Sequence, residues 1–549
     1  MDSLYYRRTA LVLATTSGVL YFVGFCGFDQ AYLAWICLVP VMWALDDVSL
    51  GWGEALLIAW TFGLVTHLGG YTWITGMLHD FGHLPIPLAL AGYFLLCLGQ
   101  GSLLAAWGWS LNRVVTSLKL PMIWAAPVLM VLAEWLWPAL FPSYLSNSQY
   151  RQVLFIQTLD LWGPLGLTFI VALASAVVYQ TLAWWLRQRG HFPRLGWVTL
   201  ILLVIGDIIY GVGSIADVDD TVGLTDRRLN IGIVQVNMGI YQKDDDPAEG
   251  ARRHLNQSLE VADQGADLIV WPEAGYNYAI RTSMKNVKHI MGELDTPILF
   301  GAIRLDDGDD ERRMYNSAFL ADGDGHVRGT YDKIFLLAFG EYLPLGDWFP
   351  SLYDLSLFRH TSRFYRGIHT ESLVLDQIRY GVLICYEDIL PGFVRRVMEG
   401  EPHVLVNLTN DAWFGRSREP TIHLALAAFR AVEHRRYLVR ATNTGISAFI
   451  DPAGRILEQT AIFERANRVL PVTPLEGRTL YGRFGDWVGM VCAMVLLWWL
   501  RGWFRELGGR ILRRIRGSPM APSEQSDAQE KQGEPGGEAS DGESDGQPC

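Results

Sequence analysis

The sequence predicts two joined parts: a polytopic α-helical membrane domain of about eight spans, and an α/β layered domain lying before the last span. Three observations carry this expectation. Half of the residues are hydrophobic, with 21 Trp, and the apolar runs crowd positions 1–215 and a short stretch near the end. Between 228 and 472 short apolar strands alternate with amphipathic helices. From about 518 onward Ser, Gly, Glu, Asp and Pro dominate, with nothing apolar to bury, so that tail is expected to be disordered.

In chain order, seven candidate spans fall near 9–26, 30–46, 54–77, 86–109, 121–141, 161–186 and 195–214, and an eighth near 485–503. Each approaches the roughly 20 apolar residues that a bilayer core requires. The first follows Arg7 and Arg8 like a leader, but a second apolar run follows at once without a small-residue cleavage site, so it reads as an uncleaved anchor. Basic residues gather in alternate connections: Arg7 and Arg8; Arg113 and Lys119; Arg187, Arg189 and Arg194; then Arg501, Arg505, Arg510, Arg513, Arg514 and Arg516. The positive-inside rule therefore puts both termini in the cytoplasm and residues 215–480 on the far side. The connection at Asp46 and Asp47 is the exception, with no basic residue. A net charge of −12 argues against nucleic-acid binding.

In the middle domain, strands are expected at Leu229–Val236, Asp267–Trp271, Pro297–Ile303, Ser317–Ala321, Tyr380–Cys385, His403–Leu408 and Ile446–Asp451. Helices are expected at Pro247–Gln264, Arg281–Leu294 and Thr421–Leu438. Of the six Cys, at 26, 37, 97, 385, 492 and 549, four lie in apolar runs and one ends the chain, with no metal-ligand or disulfide spacing. Cys385 alone lies in a soluble-looking segment, at the end of an apolar run and followed by Tyr386 and Glu387. An isolated Cys is more often a core residue than a nucleophile. Two other stretches shift that balance: Trp271-Pro272-Glu273, where a strand stops at a carboxylate, and Tyr331-Asp332-Lys333, where a lysine enters an aromatic setting. A thiol needs a base or a cation to react. Glu273 suits the base, and Lys333 suits the oxyanion that forms on attack. His423 and His434 have no convincing metal-ligand partners, so no metal or cofactor is expected.

These motifs, with Phe339-Gly340-Glu341-Tyr342-Leu343-Pro344 and Ile384-Cys385-Tyr386-Glu387, resemble the nitrilase, or carbon–nitrogen hydrolase, superfamily and its Glu-Lys-Cys triad. The likeness is closest to the apolipoprotein N-acyltransferase branch, through Tyr315-Asn316-Ser317, Asn410-Asp411-Ala412-Trp413-Phe414-Gly415, and Arg430 to Gly445. The resemblance implies a nitrilase-like αββα sandwich over 228–472, facing the periplasm of a bacterial inner membrane. It implies transfer of an acyl chain from a phospholipid, typically phosphatidylethanolamine, to the α-amino group of a diacylglyceryl-cysteine on a lipoprotein. Cys385 would carry the acyl group as a thioester, Glu273 would be the base and Lys333 the oxyanion stabiliser. Glu341, Tyr386 and Glu387 would support them. One departure is that Asp244, Asp245 and Asp246 stand where the family has an aromatic, leaving Tyr241 as the nearby ring.

Residues 342–366 are too apolar for an ordinary loop and suggest a lid that touches the bilayer, or a loop packed on its own domain. Substrate-facing candidates are Asn316, Trp348, Phe349, Phe358, Asn410 and Trp413. The expected partners are a phospholipid donor, a diacylated lipoprotein acceptor and the membrane, with the protein a monomer. A membrane-tethered amidase, a non-enzymatic scaffold and a transporter are the competing readings. The complete Glu-Lys-Cys set argues against a scaffold, and the scarcity of intramembrane charge argues against a transporter.

Overall fold

The computed structural model describes residues 3–516, apart from 48, 189, 240–241, 243–245, 309–312 and 355–361. Tyr241, Asp244, Asp245, Phe358 and the acidic tail therefore lie outside the described residues.

The apolar N-terminal third folds as helices: α1 (Ser3–Gly24), α2 (Val39–Leu45), α3 (Trp52–Gly70), α4 (Trp73–Gly76), α5 (Ile86–Ser117), α6 (Met122–Leu136), α7 (Leu159–Arg187) and α8 (Arg194–Leu224). Three of these, α5, α7 and α8, are long and apolar enough to cross a membrane; α3 with the segment Trp73–Phe81, bent by 60°, makes a fourth if the pair is one span. The expectation of eight is thus met only in part. Residues 30–46, 121–141 and 485–503 hold the shorter apolar helices Ala31–Leu45, Met122–Leu136 and Trp487–Gly502. In α1 the run is interrupted by Thr15, Thr16, Ser17 and Gly18. The bundle packs tightly through small residues. A Cβ on Gly63 of α3 would stand 2.1 Å from the Gly101 carbonyl oxygen of α5, so these helices approach backbone to backbone.

The middle of the chain builds two sheets. The first runs β13-β1-β2-β4-β5-β6, with β3 also paired to β4, from β1 (Leu229–Gln235), β2 (Leu268–Val270), β3 (Tyr276–Arg281), β4 (Ile298–Leu305), β5 (Met314–Ala321), β6 (Val327–Asp332) and β13 (Ala466–Val472). The second runs β12-β11-β10-β9-β8-β7, from β7 (Leu373–Leu375), β8 (Ile378–Ile384), β9 (Val404–Thr409), β10 (Leu438–Thr442), β11 (Ala448–Ile450) and β12 (Ile456–Gln459). The inner strands are parallel: β1 with β2 (Ile231 opposite Leu268), β2 with β4, β8 with β9 (Tyr380 opposite Val404) and β9 with β10.

Alternation along the strands makes the layers. Ile231, Ile233, Leu268, Val270, Leu299, Ala318 and Leu320 join a core with Tyr380, Val382, Leu383 and Leu438 of the other sheet. Their neighbours Val234, Ile269, Trp271, Ile298, Phe300 and Phe319 pack the opposite way, on Val261 of the helix Pro247–Ala262 and on Ile290 and Met291. The second sheet is covered by Phe393, Val394, Leu424, Ala427, Ala428 and Ala431, from helices Pro391–Val397 and Glu419–His434. Helix, sheet, sheet and helix stack in that order, as the resemblance implies.

Two expected helices need correction. Over Arg281–Leu294 the chain first completes β3 and then makes only the short helix Lys288–Met291, ended by Gly292 at φ 57°. The helix expected to run to Leu438 stops at His434, because Arg435 turns left-handed at φ 50° and the chain re-enters the sheet as β10.

Candidate active site

Parallel strands present their C-terminal ends to one side, where α/β folds place their chemistry. Here Glu273 follows β2, Cys385 follows β8 and Asp411 follows β9, while Lys333 follows β6. Glu273 reaches its place because β4 has a glycine beneath it. A Cβ on Gly301 would meet the Ala274 nitrogen at 2.7 Å and the Glu273 Cα at 2.8 Å.

Cys385 begins a 3-10 turn, Cys385–Ile389, with φ 53°, a region sparsely populated by residues other than glycine. The turn is held from both sides. Asn407 of β9 donates through Nδ2 to the Cys385 carbonyl at 3.1 Å. Glu387, fully buried, accepts from the backbone nitrogens of Ile384, Ile334 and Phe335 at 2.8, 2.7 and 3.0 Å, and from the Tyr331 hydroxyl at 2.7 Å. Glu387 therefore ties the cysteine turn to the lysine loop, the supporting role the resemblance assigns it.

Lys333 is 1 % exposed and points between two carboxylates. Its Nζ lies 3.1 Å from Glu273 Oε1 and 2.9 Å from Glu341 Oε2. Asn316 of β5 donates through Nδ2 to Glu273 Oε1 and to Glu341 Oε1, both at 2.7 Å. The Leu337 nitrogen donates to Glu341 Oε2 at 2.7 Å. Burial alone would lower the ammonium; Glu273 and then Glu341 more than reverse this and hold it well above the ordinary lysine range. Burial, and next the Glu273 charge, push the Cys385 thiol well above its ordinary value, against the pull of Lys333 and a hydrogen bond with Thr409. The resting site therefore holds a thiol, a cation and carboxylates within mutual electrostatic reach, and the thiol requires a base to become a nucleophile.

Cys385 opens on a cavity of about 50 Å³ walled by both parts of the chain. Phe25, Tyr71, Trp73, Phe141 and Ser143 come from the N-terminal helices and their connections. Leu337, Tyr386, Ile389, Phe414, Glu419, Ile422, His423 and Leu426 complete it. Tyr386 packs on Phe141 with ring centroids 5.9 Å apart and donates its hydroxyl to the Leu140 carbonyl.

The remaining candidates fare unevenly. The Asn410 side chain accepts from Asn443 at 3.2 Å and from the Ala412 nitrogen, which shapes the turn and does not place it in the cavity wall. Trp413 is half-exposed and packs on Phe81, while its neighbour Phe414 packs on Trp73 and lines the cavity. Trp348 and Phe349 are 79 % and 56 % exposed and take no part in that wall. Phe358 is outside the described residues.

The structure adds a buried charge network behind the cavity. His423 bonds Asp388 through Nε2 at 2.9 Å and Asp411 through Nδ1 at 3.1 Å. Arg440 of β10 donates to Asp388 at 2.6 Å and to Asp411 at 3.1 Å. Burial and Arg440 oppose the imidazolium, but Asp388 and Asp411 outweigh them and raise His423 to about 10. Asp411, Glu419 and His423 lie close enough to share a metal ion. They do not suit one, since both His423 nitrogens are engaged as donors to carboxylates and Arg440 already occupies Asp411. The signal in the sequence was the arginine inside the otherwise uncharged strand Leu438–Thr442, which a buried strand tolerates only with paired acids.

Residues 17–177 match the apolipoprotein N-acyltransferase N-terminal domain, and residues 230–467 match the carbon–nitrogen hydrolase domain. Among solved structures, an amidase of Nesterenkonia AN1 from the nitrilase superfamily aligns at 20 % identity over 46 % of this chain and 94 % of its own, with a TM-score of 0.34. An apolipoprotein N-acyltransferase of Nitrosomonas europaea is 30 % identical, over 91 % of this chain and 98 % of that protein. That of Geobacter metallireducens is 30 % identical over 496 residues, 88 % of this chain and 93 % of that one. With both domains matched in order and nearly the whole length of such relatives covered, the chain belongs to the apolipoprotein N-acyltransferase family.

Proposed function

We propose that this membrane acyltransferase takes an acyl chain from a phospholipid, holds it as a thioester on Cys385, and passes it to the α-amino group of a diacylglyceryl-cysteine at the N-terminus of a lipoprotein. The observation that carries this reading is the opening of Cys385, beside the Lys333 ion-pair site, into an apolar cavity walled partly by N-terminal aromatic residues. Such a wall suits an acyl chain delivered from the bilayer and gives a small soluble amide little to bind.

The chemistry follows from the residues. Glu273 takes the Cys385 proton, and the thiolate attacks the ester carbonyl carbon of the donor. The oxyanion that forms faces the Lys333 ammonium, which is held charged by Glu273 and Glu341. Collapse of the tetrahedral species breaks the ester bond, and the lysophospholipid alkoxide leaves with the proton from Glu273. In the second half the acceptor amine attacks the thioester, Glu273 takes its proton, and the departing Cys385 thiolate recovers that proton. Asn316 holds Glu273 and Glu341 in register with Lys333.

The charge pattern of the connections supports a catalytic domain on the periplasmic side with both termini in the cytoplasm, as the positive-inside rule requires. Residues 1–215, 228–472, 483–504 and 505–549 would then be the N-terminal bundle, the catalytic domain, the last membrane helix and the cytoplasmic tail, in a protein that works as a monomer. Phe339, Leu345, Trp348 and Phe349 are all exposed, and they suit a lid that rests on lipid.

Intact mass after incubation with phosphatidylethanolamine tests the proposal. Wild type should gain one acyl chain, Cys385→Ala none, and a diacylated lipopeptide should discharge the adduct into its own amide. An adduct cleared by water but not by the lipopeptide would replace acyl transfer with lipid hydrolysis. Absence of any adduct on folded protein would remove the proposal.

A further inference from the structure

The cavity beside Cys385 contains an acid that this chemistry leaves unused. Glu419 opens the helix Glu419–His434, is 8 % exposed, and lines the cavity with Cys385, Tyr386 and His423. Its Oε2 has no hydrogen-bond partner among the described residues. Its Oε1 stands 3.8 Å from His423 Nδ1, too far for a hydrogen bond. The neighbouring charges are already matched, since Asp388 and Asp411 face the Arg440 guanidinium and the His423 imidazolium. Glu419 is the acid left over. A buried carboxyl with a spare acceptor, in an otherwise largely apolar cavity, is completed by a ligand that brings both donors and positive charge.

We propose that Glu419 receives the primary ammonium group of a substrate bound at Cys385. The proposal rests on the acyl-transfer reading above, which supplies two groups of this chemistry: the α-ammonium of the acceptor and the ethanolamine head group of the donor. A primary ammonium offers three N–H donors, and its charge draws into the ionised form a carboxyl that burial, and next the Asp411 charge, push well above the ordinary carboxylate range. Tyr71, Trp73 and Phe141 line the same cavity and add aromatic surface, which favours a cation. The His423 charge opposes an incoming cation only weakly, because both its N–H groups are already turned to carboxylates. Glu419 is a binding residue: it receives the ammonium, which releases one proton to bulk water to become the attacking amine, and Glu273 takes the second proton during attack.

The test uses the full chain in lipid, as wild type, Glu419→Gln and Glu419→Asp. Thioester loading is followed by intact mass from phosphatidylethanolamine and from phosphatidylglycerol, which has no amine. Discharge of the loaded enzyme is then titrated with a diacylated lipopeptide. If the acceptor amine is the ligand, Glu419→Gln raises the lipopeptide KM about tenfold with a much smaller change in maximal rate, and Glu419→Asp recovers part of it. If the donor head group is the ligand, the glutamine variant loses about tenfold in loading from phosphatidylethanolamine relative to phosphatidylglycerol. Either result supports an ammonium receptor. An unchanged lipopeptide KM together with an unchanged donor preference overturns it, whether or not the variant is less stable. Failure of the wild type to load from either lipid overturns the acyl-transfer reading and this inference together.

Discussion

Asn316 shows how one side chain sets the site. Its amide nitrogen is shared by two carboxylates that also share one ammonium. Asn316→Asp replaces that donor with a third negative charge at 2.7 Å from each. Thioester formation should fall by about a hundredfold, read by single-turnover intact mass, because the added charge draws the Lys333 ammonium from the oxyanion it stabilises, and losing one such donor costs about 10²–10³ in rate. At this scale the sequence was informative where chemistry is local. Glu273 and Cys385 each stand at the end of an apolar run, which announced them, and Lys333 stood out as a lysine in an apolar and aromatic setting. Asn316 was identified by resemblance, since nothing near it in the chain implies two acids 43 and 25 positions away. Glu419 and the Asp388, Asp411, His423 and Arg440 network were missed for the same reason. Their pairing joins β8, β9, β10 and a helix, and only the tertiary fold brings them together.

Among the elements, the helix Glu419–His434 carries the clearest pH signature. His423 is raised to about 10 by Asp388 and Asp411, against burial and Arg440, from an ordinary 6.5. The folded state thus holds this proton more tightly than the unfolded chain. Its stabilisation is full below about 6.5 and is lost as the pH rises toward 10, on the order of a few kcal/mol. Thermal unfolding followed by tryptophan fluorescence should show the wild-type midpoint falling across that window, and His423→Gln should flatten the fall. The exposed turn at Trp348 and Phe349 makes a second prediction. Replacing both by Ser should slow loading from lipid vesicles several-fold while leaving iodoacetamide labelling of Cys385 unchanged. Strands such as β1, β2 and β4 were legible as short apolar runs, because a parallel sheet covered on both faces buries consecutive side chains. The helix expected over Arg281–Leu294 was not, because its mixed composition does not distinguish β3 and a short turn of helix from one longer helix.

At the scale of the whole molecule, Arg435 fastens the catalytic domain to the bundle. Its guanidinium reaches Asp160 and Gln157 of the α7 region, Ser214 of α8 and the Pro452 carbonyl, at 2.6–3.0 Å. Arg435→Ala leaves Asp160 without its cation and should destabilise the protein by about 3–5 kcal/mol. Arg435→Lys should recover part of this, since a single ammonium cannot bridge all of these acceptors. Thermal melts of the two variants check the order. The division into a helical bundle and a layered domain was plain from composition. Of the eight spans expected, three are matched by helices long and apolar enough to cross a membrane, and a fourth by the pair bent at 60° if it is one span, because hydropathy registers an apolar run without its helix length.

The shared cavity wall has a kinetic consequence. When part of a binding site's wall comes from an apolar helical bundle and its connections, a substrate that reaches it from the bilayer diffuses in two dimensions, and its effective concentration is a mole fraction of the surrounding lipid. Turnover should then respond to the ratio of donor to inert lipid and ignore the volume of buffer. Diluting proteoliposomes tenfold into buffer should leave the rate per enzyme unchanged. Fusing them with amine-free, unreactive ether lipid should lower it in proportion to the donor fraction.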